Sequence, residues 1–165
     1  MRGVIKIPAS IPFLSLKEVT VVLMPNIGVN NTYANPAEYD IATNEAIIGI
    51  DVVFDGVSQG EIQTLELTLV FDDNTQKSME YSCTSEQLYC KYTLTPADIA
   101  LYINSGVYAP GVYQKKIVKI VTRAKTTLSQ PYGTSIVSIR ALKVQNTYNK
   151  SMQYTQTPET TALDQ

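Results

Sequence analysis

The sequence contains no histidine and no tryptophan, and cysteine occurs only twice. Without histidine, the chain lacks the usual base of a catalytic triad and the commonest protein ligand of metal ions. It has no CxxC pair, so zinc-finger, thioredoxin-like and haem-attachment motifs are not indicated. Glycine-rich nucleotide motifs, GxSxG and the EF-hand loop are missing too. We therefore predict a protein that is not an enzyme, with no catalytic residue, metal site or cofactor.

Two pairs of carboxylates are the remaining candidates for chemistry. Asp51 and Asp55 flank the end of a predicted strand, and Asp72 and Asp73 lie in a predicted turn. Carboxylate oxygens are calcium ligands, but aspartates are also ordinary residues of turns. We expect solvated turn residues and keep calcium binding as the alternative.

Long apolar segments are missing as well. No apolar run approaches the roughly 20 residues that cross a bilayer, so we expect a protein that is not transmembrane. Lys6, Pro8 and Pro12 interrupt the N-terminal segment, which therefore does not fit a secretory signal peptide. The net charge is −2 and the pI about 5.1, which gives no general reason to expect nucleic acid or an anionic membrane as partner.

The sequence does contain a strand pattern, which is clearest in residues 61–95. Apolar and polar residues alternate along three stretches that are separated by turn residues at 72–74 and 84–87. The apolar positions are Leu65, Leu67, Leu69, Phe71, Met79, Tyr81, Cys83, Leu88, Cys90, Tyr92 and Leu94. This pattern predicts three consecutive antiparallel strands, each with one buried face.

The two cysteines fall within this pattern. Cys83 and Cys90 lie on the apolar face, at ends of predicted adjacent strands that a short turn would bring opposite each other. A cross-strand disulfide is compatible with this placement. Two buried free thiols are the alternative, because an unpaired cysteine packs as a small apolar residue.

Five further segments have strand patterns, at residues 4–7, 17–24, 47–54, 115–127 and 134–145. Residues 47–54 are almost continuously apolar, which predicts a central strand covered on both faces. The last two segments are predicted to form a hairpin. Its inward residues are Val118, Ile120 and Ala124 on the first strand and Val137, Ile139 and Ala141 on the second.

The intervening segments complete the predicted fold. Residues 26–45 have no apolar period and predict a long loop of about twenty residues, which is uncommon in a compact domain unless the loop contacts something. Thr95, Pro96 and Asp98 form the start signal of one short helix, with Gly106 as its end. About eight strands with one short helix predict an all-β, antiparallel two-sheet sandwich of jelly-roll or Greek-key type. We place this single domain at residues 1–148 and a polar tail, flexible or partner-bound, at 149–165; an up-and-down barrel is the alternative fold.

Charge is divided unevenly along the chain. Residues 17–98 contain thirteen acids and three lysines, whereas residues 99–158 contain eight basic residues and no acid. The candidate basic contact face consists of Lys115, Lys119, Arg123, Lys125, Arg140 and Lys143. We expect a positive sheet face that binds nucleic acid, lipid headgroups or the acidic half of another copy, or else an ordinary solvated face.

Tyrosine is abundant, with eleven residues. Tyr33, Tyr39, Tyr108 and Tyr113 fall in predicted loops, whereas Tyr89 points away from the core in the strand pattern. Loop tyrosines suit protein contacts and sugar stacking alike. We expect protein contacts and keep a carbohydrate-binding or other surface-ligand module as the alternative.

In composition and strand pattern, residues 17–145 resemble the small single jelly-roll virion proteins of viruses that infect thermophilic archaea. The resemblance implies a structural protein of a virion or capsid, with copies of itself or other structural proteins as partners. It implies a location in a virion or another extracellular particle, and otherwise the cytoplasm. Nucleic-acid binding by the basic hairpin is a further alternative.

Overall fold

A computed structural model describes residues 12–95 and 116–148 of the chain. The predicted strand at residues 4–7, the predicted helix after Thr95 and the tail at 149–165 lie outside these residues. The described residues form nine strands in two sheets, which confirms the predicted all-β sandwich.

The strands are β1 (Pro12–Leu23), β2 (Ile27–Gly28), β3 (Ala37–Asp40), β4 (Glu45–Asp55), β5 (Ile62–Phe71), β6 (Gln76–Thr84), β7 (Tyr89–Leu94), β8 (Ile117–Thr126) and β9 (Thr134–Tyr148). The four-stranded sheet has the order β1-β9-β4-β7. The five-stranded sheet has the order β2-β8-β5-β6, with β3 also paired to β8. Strand β1 starts at a proline and lies at a sheet edge in the described part, as predicted from Pro12.

The pairing of the strands is nested. The first strand lies beside the last, β3 beside β8, β4 beside β7, and β5 beside β6. This is the jelly-roll arrangement, in which one long hairpin is rolled into two sheets. As a result, several strands that follow one another in the sequence lie in different sheets.

The chain divides into two compact units. One unit is Glu18–Leu142 and contains most of both sheets. The other consists of Met1–Lys17 and Lys143–Gln165, of which the structure describes the first residues of β1 and the last residues of β9. The sites discussed below lie within Glu18–Leu142.

The core lies between the two sheets and is built from the inward positions of the strands. Its largest fully buried apolar side chains are Phe54, Ile47, Ile50, Leu65, Leu67, Leu69, Ile117, Ile120 and Ile139. The predicted inward residues of β9 are confirmed, since Val137, Ile139 and Ala141 are all buried. On β8 the sequence predicts Val118 inward, but Ile117 takes that position. The reason is a register shift opposite Val70 that skips Val118 in the pairing of β5 with β8.

Strand β5 is more buried than its alternating pattern predicts. Thr64 and Thr68, on the outward face, are buried as well as the leucines on the inward face. The hydroxyl of Thr64 hydrogen-bonds that of Ser82 at 3.0 Å, and the hydroxyl of Thr68 bonds that of Ser78 at 2.9 Å. These cross-strand pairs satisfy the polar groups that burial removes from water.

Two predicted strand pairings are wrong. The sequence predicts β7 beside β6 and β9 beside β8, but β7 and β9 lie in the four-stranded sheet whereas β6 and β8 lie in the five-stranded sheet. An alternating pattern determines which face of a strand is buried, but the neighbouring strand depends on long-range packing. The short connections at 85–88 and 127–133 therefore cross between sheets instead of turning within one.

The prediction of one long loop at residues 26–45 is also wrong. Strand β2 pairs in parallel with β8, and β3 pairs with β8 in the antiparallel direction. Between them, the amides of Asn30 and Asn31 donate to the carbonyls of Leu128 and Thr126 at 2.9 and 2.8 Å. Such short strands form through backbone hydrogen bonds with β8, so they leave little trace in the apolar pattern.

The predicted central strand at residues 47–54 corresponds to β4, which lies between β9 and β7. Its central position is confirmed. The expectation that both faces are covered is wrong, because Val52 and Phe54 are buried whereas Val53 between them is half-buried and Asp55 is exposed.

Candidate functional site

The predicted basic face on β8 is neutralised by carboxylates of neighbouring strands. Lys119 Nζ donates to Glu38 Oε1 at 2.8 Å and lies 3.7 Å from Asp40 Oδ1. Arg123 Nε donates to Glu66 Oε1 at 2.7 Å. The hydrogen bond from Lys119 to Glu38, together with the charges of Glu38 and Asp40, raises the pKa of Lys119.

The aromatic ring of Tyr33 lies over the same face. The Arg123 guanidinium carbon is 4.3 Å from the ring centroid, and Lys125 Nζ is 4.7 Å from it. The Tyr33 hydroxyl donates to Glu80 Oε2 at 2.9 Å. Burial, followed by the hydrogen bond to Glu80, raises the pKa of Tyr33. Tyr33 therefore packs on its own sheet and is not the free loop contact that the sequence predicts.

The prediction of a positive sheet face is therefore wrong for β8. Three cations and four carboxylates share the outer face of the five-stranded sheet, namely Lys119, Arg123, Lys125, Glu38, Asp40, Glu66 and Glu80. Arg140 and Lys143 lie on β9, in the other sheet, so the six predicted residues do not form one face. Lys115 lies outside the described residues. The alternative of a nucleic-acid or lipid site therefore has no single basic face among the described residues.

Three connecting loops meet at one end of the sandwich, which we call the loop end: residues 56–61, 85–88 and 127–133. The amide of Val57 donates to the carbonyl of Leu88 at 3.2 Å, and the amide of Ser85 donates to the carbonyl of Glu61 at 3.0 Å. A side chain at Gly133 would lie only 2.9 Å from the carbonyl oxygen of Asp55. The three loops are thus packed against one another, with glycine required at their closest approach.

A buried carboxylate joins these loops. Glu61 is fully buried and accepts hydrogen bonds from the Ser58 amide at 2.8 Å, Gln63 Nε2 at 3.0 Å and Thr126 Oγ1 at 2.7 Å. Burial raises the pKa of Glu61, but these bonds and one from the Tyr132 amide outweigh it, so the pKa lies below its usual range. Glu61 therefore connects the loop at 56–61 to β5, β8 and the loop at 127–133.

Sequence reasoning missed Glu61, although one signal was present. Ser58 and Glu61 have the S-x-x-E spacing of a capping box, in which the glutamate carboxylate accepts the amide of the residue three positions earlier. Here the same bond forms in a loop, without a helix. This spacing predicts the local turn at residues 58–61. It does not predict the hydrogen bonds from Gln63 and Thr126, because these depend on how the strands pack.

Cys83 and Cys90 form a disulfide, with their Cα atoms 5.7 Å apart. The sequence places this bond across adjacent strands of one sheet, but it joins β6 of the five-stranded sheet to β7 of the four-stranded sheet. Leu88, predicted on the buried face, is 55% exposed and has a φ of 61°. A left-handed backbone is unfavourable for leucine, so the short loop holds this apolar side chain outward in a strained conformation.

Of the other tyrosines, two are prominent at the loop end. Tyr89 and Tyr132 are both exposed, and Tyr89 points away from the core as predicted. Tyr39 is not a loop contact, since it lies on β3 and packs half-buried against the core. Burial, then the charge of Glu45, raises the pKa of Tyr39. Tyr108 and Tyr113 lie outside the described residues.

One aspartate of each predicted carboxylate pair has a hydrogen-bond partner within the chain. Asp51 accepts a hydrogen bond from Thr93 Oγ1 at 2.7 Å, and Asp73 accepts one from the Thr75 amide at 3.0 Å in the turn between β5 and β6. Among residues 12–95 and 116–148, no three acidic or sulfur ligands lie close enough to hold a metal ion. Within the same residues, no helix is long and apolar enough to cross a membrane.

No protein-family model matches the sequence, and no curated protein matches it.

Proposed function

We propose that the chain is a non-enzymatic structural subunit of a larger particle and, following its resemblance to jelly-roll virion proteins, that this particle is a virion. The observation that carries the proposal is the loop end, where apolar side chains are exposed on loops packed against one another and on the strand residues that directly follow them. Ile62, Leu88, Tyr89 and Tyr132 are 42%, 55%, 53% and 58% exposed. Rigid, exposed aromatic and aliphatic groups are typical anchors of protein interfaces.

The rigidity of these loops favours a contact surface over a solvated end. The Glu61 network and the Cys83–Cys90 disulfide hold the loops before any partner binds. A preformed surface loses less conformational entropy on association than a mobile one. The partners of this surface are further copies of the chain or other structural proteins of the particle.

The disulfide also supports a particle that is completed outside the cell or inside a thermophile. Disulfides persist in those settings and are rare in the cytosol of other organisms.

Replacing Leu88 tests the proposal, because the replacement should stabilise the fold and weaken association. Leu88→Gly relieves the left-handed strain and should raise the melting temperature, while it removes an anchor and should lower the solution mass measured by light scattering. Asn74→Gly is the matched control, since Asn74 also has a positive φ, of 67°, but lies in the turn between β5 and β6. Wild-type protein that stays at the monomer mass of 18.2 kDa at all concentrations would contradict the proposal.

A second candidate function is carbohydrate or surface-ligand binding at the same end. It is favoured by the exposed tyrosines Tyr89 and Tyr132 and by the exposed residue Asp55 at the same end. Tyr89 is the cross-strand partner of Asp55, and Gly133, next to Tyr132, packs on the Asp55 carbonyl. Aromatic rings beside a carboxylate suit sugar stacking and hydroxyl recognition. A monomer whose melting temperature rises with a glycan would support this function over assembly.

A further inference from the structure

We infer that two copies of the chain pack face to face through the outer face of the four-stranded sheet, with Arg140 of each copy binding Asp55 of the other. The inference rests on the proposed function, since it specifies one contact by which the subunit associates. It concerns a different surface from the apolar anchors at the loop end, although Tyr89 belongs to both.

The outer face of this sheet follows from the register of β4 and β7. Val52 and Phe54 are buried, so Asp55, Val53 and Asp51 point outward. Their cross-strand partners on β7 are Tyr89, Lys91 and Thr93, respectively. Cross-strand partners lie on the same face of a sheet, so the Tyr89 ring stands beside the Asp55 carboxylate.

Strand β9 brings a basic group onto the opposite end of the same face. Thr134 Oγ1 donates to the Asp55 carbonyl at 3.4 Å. A Cβ atom placed on Gly49 would lie 3.5 Å from the Arg140 guanidinium. The start of β9 is thus beside the end of β4, and Arg140 lies over Gly49. Gly49 and Asp55 are six positions apart, which is about 20 Å along a strand.

This arrangement is complementary to itself. We place a two-fold axis between the two facing sheets, perpendicular to the strands and close to Val52. This axis brings position 49 of one copy opposite position 55 of the other. It therefore places each Arg140 guanidinium opposite the Asp55 carboxylate of the second copy. Lys91 and Asp51 lie near this axis but already pair within each copy, with Lys91 Nζ 3.9 Å from Asp51 Oδ2. Two-fold contacts of this kind use one patch twice and close on themselves.

The residues around this charge pair suit such a contact. Val53 and Ile136, between the acidic and basic ends, are half-buried apolar residues that point outward. The exposed ring of Tyr89 beside Asp55 offers a face on which a guanidinium can stack. Within residues 12–95 and 116–148, neither Asp55 nor Arg140 has an ion-pair partner of its own. Charge complementarity therefore points to a second copy as the occupant of this face.

A charge swap tests the pairing directly. Asp55→Arg and Arg140→Asp should each raise the dimer dissociation constant by at least about 100-fold, because each places like charges together twice in the symmetric contact. The double variant Asp55→Arg/Arg140→Asp should recover to within about tenfold of wild type. Sedimentation equilibrium of the full chain gives all four constants. Asp72→Arg, at an exposed acid in the turn between β5 and β6, is the matched control and should leave dimerisation unchanged.

The outcomes separate this inference from the proposed function. A double variant as weak as either single variant, or single variants that dimerise like wild type, overturns the pairing while assembly by another surface stands. A wild-type chain that is monomeric throughout overturns both. If a charge reversal prevents folding, Asp55→Asn and Arg140→Gln remove the attraction without adding repulsion, and each should still weaken the dimer by about tenfold.

Discussion

The outer faces of the two sheets differ in how completely their charges are paired within the molecule. On the five-stranded sheet, Lys119 and Arg123 are paired with carboxylates of β3 and β5. On the four-stranded sheet, Lys91 pairs with Asp51 at 3.9 Å. The exposed charges of Asp55 and Arg140 lie at opposite ends of the same face and have no ion-pair partner in the described part of the chain. The first face satisfies its charges within the molecule. The second leaves a pattern that a second copy can complete.

This difference explains what the division of charge along the sequence means. The acid-rich first part of the chain supplies β3, β5 and β6, and the basic second part supplies β8. Because the jelly roll places β8 between β3 and β5, opposite charges that are far apart in sequence become neighbours. The division of charge along the sequence therefore becomes ion pairing within the five-stranded sheet, whereas Arg140 on β9 and Asp55 at the end of β4 are the charges that we propose for association.

The largest effect is expected at Glu61, which joins the loop at 56–61 to β5, β8 and the loop at 127–133. Glu61→Ala removes the acceptor for Ser58, Gln63 and Thr126 in a buried site and should lower the free energy of unfolding by about 3 kcal/mol. Loss of the loop arrangement should also reduce association. Urea unfolding followed by circular dichroism measures the first effect. Glu86→Ala, at an exposed position of the same end, should change stability by less than about 0.5 kcal/mol.

The pH dependence of Glu61 has a definite sign. Its folded-state pKa is below the usual value, so its contribution to stability is complete above the unfolded-state pKa of about 4.3. The contribution is lost as pH falls through the lower folded-state pKa. The wild type should therefore lose more stability than Glu61→Gln when urea unfolding is repeated at decreasing pH in that range. Equal losses in the two proteins would show that Glu61 does not control the acid response.

A smaller effect is expected on the face that is already paired. Glu66→Lys places a cation beside Arg123 and near Lys125 and should lower the free energy of unfolding by about 1.5 kcal/mol, less at high salt. The solution mass should not change, because this face takes no part in association. Asp55→Arg should show the reverse pattern, with unchanged stability and reduced mass. If Glu66→Lys reduced the mass at unchanged stability, the assignment of the two faces would be wrong.

The sequence predicts those features of the fold that depend only on which face of a strand is buried. Alternation at Leu65, Leu67 and Leu69 predicts β5, and the same reasoning predicts the inward residues of β9. The partners of β7 and β9 could not be predicted, because a strand with one apolar face fits equally well beside several neighbours. Strands β2 and β3 were missed because backbone bonds to β8 define them.

The candidate sites were less predictable than the strands. Arg140 is visible in the sequence as a basic residue, but only the packing of β9 beside β4 shows that it lies over Gly49 and faces the same way as Asp55. The wrong prediction of a hairpin assigned it to the same surface as Arg123. Sites formed by residues from different sheets or strands depend on topology, which the sequence pattern alone leaves undetermined.

Chemical cross-linking of two matched valine variants tests the central claim most directly. Val53 on β4 and Val121 on β8 are both half-buried, outward-facing residues of interior strands, one in each sheet. Because Cys83 and Cys90 are bonded to each other, Val53→Cys or Val121→Cys adds the one thiol that can react. Val53 lies next to the inferred two-fold axis, and facing sheets are about 10 Å apart, so a bismaleimide of that span should link Val53→Cys into a covalent dimer. Val121→Cys should remain a monomer, whereas equal cross-linking of the two variants, or none in either, would contradict the account.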